Sequence, residues 1–161
     1  MAFRYLYGDA KPVKLSATVA EPIAVGDACV LVSNKASPAS TLADSGTTAQ
    51  NQEAAHDIFL GLALDQKLDD DTQDIMIATE GTWECDCDAL SQDYDIGSYF
   101  GLEGTGASDA VGVANQRVAA VATANLAIGI LAEFAASGAT KVKIRLAGVL
   151  TTPYQGCQAF A

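Results

Sequence analysis

Residues 127–150 read AIGILAEFAASGATKVKIRLAGVL, and the run Lys141-Val142-Lys143-Ile144-Arg145-Leu146 within them decides the fold class. Val142, Ile144 and Leu146 alternate strictly with Lys141, Lys143 and Arg145, which is the period-two signature of a strand with one buried and one wet face. Upstream, Ala127-Ile128-Gly129-Ile130-Leu131 forms a short apolar strand interrupted by one glycine, and a small-residue connection through Ser137-Gly138 joins the two. The stretch is therefore a hairpin-like unit: strand with glycine, turn, alternating strand, glycine.

The same grammar occurs once more. Ile58 to Leu64 is an apolar strand carrying Gly61, a polar connection spans Asp65 to Asp74, and Ile75-Met76-Ile77-Ala78-Thr79 leads to Gly81. Each unit is preceded by a comparable strand, residues 23–32 around Gly26 and residues 95–102 around Gly97. The glycine pairs 26/97, 61/129 and 81/148 are offset by 71, 68 and 67 positions. A single shift with small loop adjustments superposes the two stretches, the mark of an internal duplication. The expected fold is mainly β: an internally duplicated antiparallel β-barrel or β-tulip-like domain with little helix. Residues 1–20 form an amino-terminal arm and first strand, 21–150 one duplicated domain with halves at about 21–88 and 93–150, and 151–161 a carboxy-terminal tail.

The 161 residues suffice for one core-forming domain. Nine basic against twenty acidic residues give a net charge of -11. That balance argues against direct nucleic-acid binding, which rests on clustered Lys and Arg, and favours a partner with a basic or apolar surface. The first residues, MAFRYLYGDAKPVK, lack the apolar core of a signal peptide, so cytoplasmic synthesis is expected. The tract 118–136 is broken by Thr123, Asn125 and Glu133 and is too poor in large aliphatics for a membrane span.

Along the chain, Val13, Leu15, Ala17 and Val19 alternate with polar residues, giving a strand. Residues 33–52, rich in Ser, Ala, Thr, Asn and Gln, read as a loop excursion, with a helical turn at Glu53 to Asp57 leading into the Ile58 strand. Trp83, Cys85 and Cys87 share one face of an alternating strand, and GLEGTGASDAVG at 101–112 reads as a flexible turn.

Candidate chemistry is sparse. His56 is the sole histidine and no Gly-x-Ser-x-Gly elbow accompanies it. Asp44-Ser45-Gly46 has the local form of an aspartic-protease turn, but that chemistry needs a second carboxylate, and the duplicated half has no equivalent tripeptide. Asp69, Asp70 and Asp71 lack the ligand spacing of a calcium loop and read as a solvated turn. Cys29, Cys85, Cys87 and Cys157 do not form a disulfide framework or complete a zinc site, so structural thiols are expected. No cofactor, metal or catalytic residue is assigned, and an enzyme is the least favoured class.

Met1 to Tyr7 concentrates Phe3, Arg4, Tyr5 and Tyr7 at one terminus. Two readings compete: a first strand folded onto the core, or an arm using the aromatic and arginine anchors typical of interface centres.

The Gly8-Asp9, the second Gly-Asp at 26–27 and the closing AIGIL with GATKVKIRL together resemble the small capsid cement, or head decoration, proteins of tailed bacteriophages. The likeness touches most of the chain through short motifs, and residues 33–52, 65–74 and 151–161 depart from the pattern. It implies a homotrimer on the outer surface of a virion head, at threefold and quasi-threefold positions, clamping major capsid protein subunits, with no membrane and no direct nucleic-acid contact. On this reading Phe3, Arg4, Tyr5 and Tyr7, with Tyr154 and Phe160 of the tail, make the capsid or subunit contacts. A virion tail, fibre or surface recognition module binding a glycan or receptor is the alternative, and exposed aromatics on loops would favour it.

Overall fold

The computed structural model describes residues 3–18, 20–105 and 111–147. Among them eleven strands follow in order: β1 (Phe3–Tyr7), β2 (Pro12–Ser16), β3 (Ala28–Val32), β4 (Lys35–Pro38), β5 (Phe59–Ala63), β6 (Asp74–Ala78), β7 (Thr82–Asp86), β8 (Tyr99–Gly104), β9 (Val113–Ala120), β10 (Gly129–Leu131) and β11 (Lys141–Leu146). One helix, α1 (Thr48–Asp57), lies between β4 and β5, and short 3-10 turns occupy Ala39–Thr41 and Ala124–Leu126.

The strands form two antiparallel sheets, mainly β as the alternation demands. One has the order β2-β6-β5-β3-β4; the other is β7-β11-β10-β8-β9 with β1 added outside β7. The five-strand order is thus the same in both. Loop hydrogen bonds repeat with it: Gly26 N to Ala63 O (2.8 Å) has its counterpart in Gly97 N to Leu131 O (2.9 Å), and Thr79 N to Ala10 O (2.9 Å) in Leu146 N to Gly81 O (3.0 Å). By sheet membership β7 opens the second unit, so strand order divides the chain between β6 and β7, whereas the glycine pattern grouped residues 82–88 with the first half.

Each five-strand unit curls until its first and last strands meet. Ala17, just past β2, bridges Ala36 of β4 in parallel, and Cys87, just past β7, bridges Val118 of β9 in the same way. The first barrel encloses Ile23, Cys29, Leu60, Ala63, Ile75 and Ile77. A larger cluster fills the second barrel and continues through Val30, Phe59, Leu62 and Ala78 of the first, joining the two into one hydrophobic body. Tight coiling explains one of the repeated glycine pairs. A Cβ on Gly61 would sit 1.9 Å from Ala78 O, and one on Gly129 2.5 Å from Arg145 O, so only glycine lets these strands cross their neighbours.

Residues 33–52, expected as a loop, instead hold β4 and the first half of α1. Ser33 (φ 50) and Asn34 (φ 63) form a two-residue hairpin turn with both φ positive, returning the chain into β4. Thr47 then caps α1: its hydroxyl accepts from Gln50 N while Gln50 Oε1 accepts from Thr47 N, a capping box. The helix starts at Thr48 rather than near Glu53. Its buried residues are Asn51, Gln52, Ala55 and His56, so it docks mainly by hydrogen bonding: Gln52 Nε2 donates to Leu102 O (2.9 Å) and His56 Nδ1 lies 2.5 Å from Ala127 O. Both acceptors belong to the second barrel, so a helix inserted in the first barrel fastens the second. Residues 101–104, expected within a turn, complete β8, and β9 begins at Val113.

Candidate interaction surface

The amino-terminal segment is an edge strand. β1 pairs antiparallel with β7, placing Phe3 opposite Cys85, Arg4 opposite Glu84 and Tyr5 opposite Trp83. Alternation, together with a register shift between Tyr5 and Tyr7, then sorts its side chains. Phe3 is 1% exposed and belongs to the core, so it anchors the strand and offers no side-chain surface to a partner. Arg4 lies outward and pairs with Glu84 at 3.1 Å. The Tyr5 ring meets Trp83 edge-on at 5.3 Å and its hydroxyl donates to Gly8 O, while the indole Nε1 of Trp83 donates to Glu80 O at 3.2 Å. Tyr7 is 52% exposed. Of the four amino-terminal candidates, Arg4, Tyr5 and Tyr7 reach the surface, and Tyr5 packs against buried Trp83. Tyr154 and Phe160 lie outside the described residues.

From Arg4 the outer face of this sheet continues as a charge ladder. Lys141 bonds Asp86 (2.9 Å) and lies 3.7 Å from Glu84, and Lys143 bonds Glu133 (2.8 Å). The Asp86 hydrogen bond holds the Lys141 ammonium above its ordinary pKa, and Glu133 does the same for Lys143. Such solvent-screened pairs add little to stability, and their main effect is to consume basic side chains. Lys11 pairs with Glu80 and Lys14 with Asp74. The uncompensated charge left on the surface is consequently acidic.

Sequence reading overlooked a second set of exposed apolar side chains, at the turn tips. Ala24-Val25-Gly26-Asp27 and Asp95-Ile96-Gly97-Ser98 are equivalent turns. Each is closed by a hydrogen bond between its end residues, 3.1 Å in both, with the third-position glycine at φ 88 or 90. That geometry is a type II turn, in which glycine supplies the positive φ. The second position carries Val25, 44% exposed, in one barrel and Ile96, 70% exposed, in the other. Antiparallel bridges Ile23–Lys67 and Tyr94–Ala135 bring the neighbouring loops alongside, adding exposed Leu68 near the first turn and Phe134 near the second. The same stretches of chain are rich in carboxylates: Asp65, Asp69, Asp70 and Asp71 in the loop of Leu68, Asp93 and Asp95 leading into the second turn, and Glu133 next to Phe134. The available signal was an aliphatic residue directly before the turn glycine in both repeats.

The remaining candidates are built into the scaffold. Asp44 accepts hydrogen bonds from Asn51 Nδ2 (2.8 Å) and Gly46 N (2.9 Å), which hold its carboxyl below the usual range and brace the approach to α1. Asp69 and Asp71 accept from backbone amides of Asp70 and Gln73. Among the described residues no three His, Cys, Asp or Glu side chains are grouped to hold a metal ion. Cys29, Cys85 and Cys87 are buried free thiols, and burial pushes each pKa up. Tyr94 stacks edge-on against buried Phe100 at 5.7 Å, so that pair faces inward.

Two grooves of about 420 and 200 Å³ flank the barrel closures. In the larger, Asp27 accepts from Ala24 N (2.8 Å) and from Gln116, and the Lys67 ammonium donates to Glu21 O and Leu68 O, both at 2.9 Å. Beside the smaller, Arg117 binds both Asp88 and Glu103; burial raises the Glu103 carboxyl against the opposing pull of that guanidinium. These charged groups hold loops together. Among the described residues no helix is long and apolar enough to cross a membrane. Compared with known proteins, the chain matches no family model and no curated protein.

Proposed function

We propose that this protein is a structural decoration, or cement, protein that binds the outside of a tailed-bacteriophage head and stabilises the shell by bridging major capsid protein subunits. The observation that carries the reading is the repeated presentation of Val25 and Ile96 at equivalent turn tips. Hydrogen bonds fix both turns before any partner arrives, so binding them costs little ordering entropy. An apolar tip on an acidic chain, with carboxylates in the adjoining loops, suits a partner with apolar sockets rimmed by Lys or Arg. Two such tips on one rigid body suit a partner that repeats, as a shell does. Arg4, Tyr5 and Tyr7 form a further contact patch, with Phe3 holding their strand in place; Tyr154 and Phe160 complete the proposed set. The assembled form on the shell is a homotrimer at threefold and quasi-threefold positions.

The test is sedimentation of purified protein with expanded empty heads of a tailed phage. Saturable binding in multiples of three supports the proposal, with loss of affinity for Val25→Asp and Ile96→Asp variants that keep the parental melting temperature. Unaltered binding by both variants would remove the turn tips from the interface, and absence of binding would remove the function.

One observation favours the alternative of a virion recognition module for a glycan or receptor: Phe134 is an aromatic side chain, 57% exposed, on a loop. Glycan binding that is lost in Phe134→Ala, from a protein that ignores empty heads, would select that reading.

A further inference from the structure

The two barrels build one piece of backbone from different residues. In the first, Asp27 N bonds Ala24 O, Ala63 N bonds Asp27 O, and Ile23 and Lys67 exchange both backbone hydrogen bonds. In the second, Ser98 N bonds Asp95 O, Leu131 N bonds Ser98 O, and Tyr94 and Ala135 exchange theirs, each bond in either set lying between 2.8 and 3.1 Å. Asp27 thus corresponds to Ser98, and Lys67 to Ala135. The second barrel makes this geometry without a charge at either position. The first keeps both groups buried, 4% and 1% exposed, at a desolvation cost that the backbone does not call for.

Both side chains line the groove of about 420 Å³ where the first barrel meets β9. Its volume falls within the range of small-ligand sites, about 300–1,000 Å³. Lys67 directs its ammonium at the loops, donating to Glu21 O and Leu68 O, both at 2.9 Å. Asp27 takes neutral donors instead: the Ala24 amide at 2.8 Å and, from the other barrel, Gln116 Nε2. An ionised carboxylate offers about four acceptor positions, so these two bonds leave it room for further donors. The amide of Gln116 brings its own oxygen to the same place as a second acceptor.

We propose that this groove takes the guanidinium of an arginine side chain carried by the partner that docks on the Val25 tip. The inference rests on the proposed function for the source of the arginine; the chemistry of the groove selects the group. Among the charged residues lining it, Glu21 and Asp27 stand against Lys67, whose ammonium is already bonded to carbonyls, so an anion is disfavoured. A guanidinium has five N–H donors and no acceptor, which matches a carboxylate flanked by an amide oxygen. It is also more weakly hydrated than the ammonium of lysine and so loses less on entering a buried site. Pro22, Pro38 and Leu68 on the walls give the aliphatic stem apolar cover. Ala24 lines the groove too, which sets its occupant one residue from Val25.

Nuclear magnetic resonance on the full chain tests the inference, with N-acetyl-L-arginine amide as the probe and the uncharged N-acetyl-L-citrulline amide as its control. The expected result is a saturable shift at the Gln116 side-chain amide and the backbone amides of Ala24, Asp27 and Leu68, absent with the citrulline compound. Asp27→Asn keeps an acceptor for Ala24 N and removes the charge; it should weaken probe binding by at least about tenfold at an unchanged melting temperature. Should that variant not fold, Asp27→Ser takes its place, since the second barrel carries serine at this position. Absence of a saturable shift overturns the inference, and so does equal binding of the citrulline compound or equal binding by the variant. On empty heads the variant should bind about tenfold more weakly than the parent, and equal affinity there also overturns the inference. A parent protein that ignores heads yet takes the probe would end the proposed function and leave the guanidinium site standing.

Discussion

Replacing Phe3 by Ala tests whether the amino terminus is a binding arm or part of the scaffold. The side chain is 1% exposed and lies opposite Cys85 among core residues, so truncation removes a buried aromatic and leaves a cavity at the edge of the second barrel. Buried Phe→Ala changes cost about 3–5 kcal/mol. For a protein of this size each kcal/mol moves the melting temperature by about 2–4 °C, so a fall of about 6–20 °C is expected. The neighbouring positions calibrate it. Tyr5→Ala forfeits the edge-on contact with Trp83, worth about 0.5–1.5 kcal/mol, and Tyr7→Ala, at an exposed site, stays within about 0.5 kcal/mol. Calorimetry or circular-dichroism melts of the three variants should therefore rank Phe3 far above Tyr5 and Tyr5 above Tyr7. A Phe3→Ala protein melting within 2 °C of the parent, an interval of about 1 kcal/mol or less, would refute the placement of β1 in the core.

Three further outcomes follow from the same physics. Gly97→Ala should cost about 1–2 kcal/mol, because φ is 90 but a Cβ there meets nothing within 4 Å; Gly61→Ala should fail to fold or lose more than about 3 kcal/mol, because its Cβ would overlap Ala78 O. Urea titrations would separate them. Thr47→Ala removes the capping box and should lower stability by about 1 kcal/mol, with faster amide exchange confined to the first turn of α1. Cys29 and Cys85 have folded pKa values raised chiefly by burial, with Asp27 adding to the effect at Cys29 and Cys87 at Cys85. Their stabilisation is complete below the unfolded thiol value of about 8.5 and declines above it, by about 1.4 kcal/mol per pH unit for each thiol. Urea unfolding between pH 7 and 9.5 should show this slope, and Cys29→Ala should remove one thiol's share; an unchanged slope would count against burial of Cys29 as the cause.

What the sequence disclosed depended on whether an element uses side-chain hydrophobicity. β11 and β7 are legible because Val142, Ile144, Trp83 and Cys85 alternate with charged residues. α1 was legible only in its second half, expected as a helical turn at Glu53 to Asp57, because its buried side includes Asn51, Gln52 and His56, which bond carbonyls and neighbouring loops rather than form an apolar stripe; the Thr47-to-Gln50 capping pattern marked its true start. β4 escaped notice because Lys35-Ala36-Ser37-Pro38 holds no large apolar residue and closes its barrel through Ala36. On the surface, residue type alone placed Phe3 with Tyr7, and regular alternation would keep them on one face; the pairing of β1 with β7 shifts register between Tyr5 and Tyr7, and Phe3 is buried while Tyr7 is exposed. Val25 and Ile96 were visible as members of apolar stretches, but only the turn geometry turns them outward.

The helix that grows out of one barrel and fastens to the other also bears on the history of the gene. Among the described residues the two halves are not interchangeable, since the clasp belongs to the earlier one and the carbonyls of Leu102 and Ala127 that receive it to the later one. A chain assembled from two copies of the later half would keep every strand yet leave those carbonyls without their present donors. The asymmetry thereby ties two like halves into one molecule.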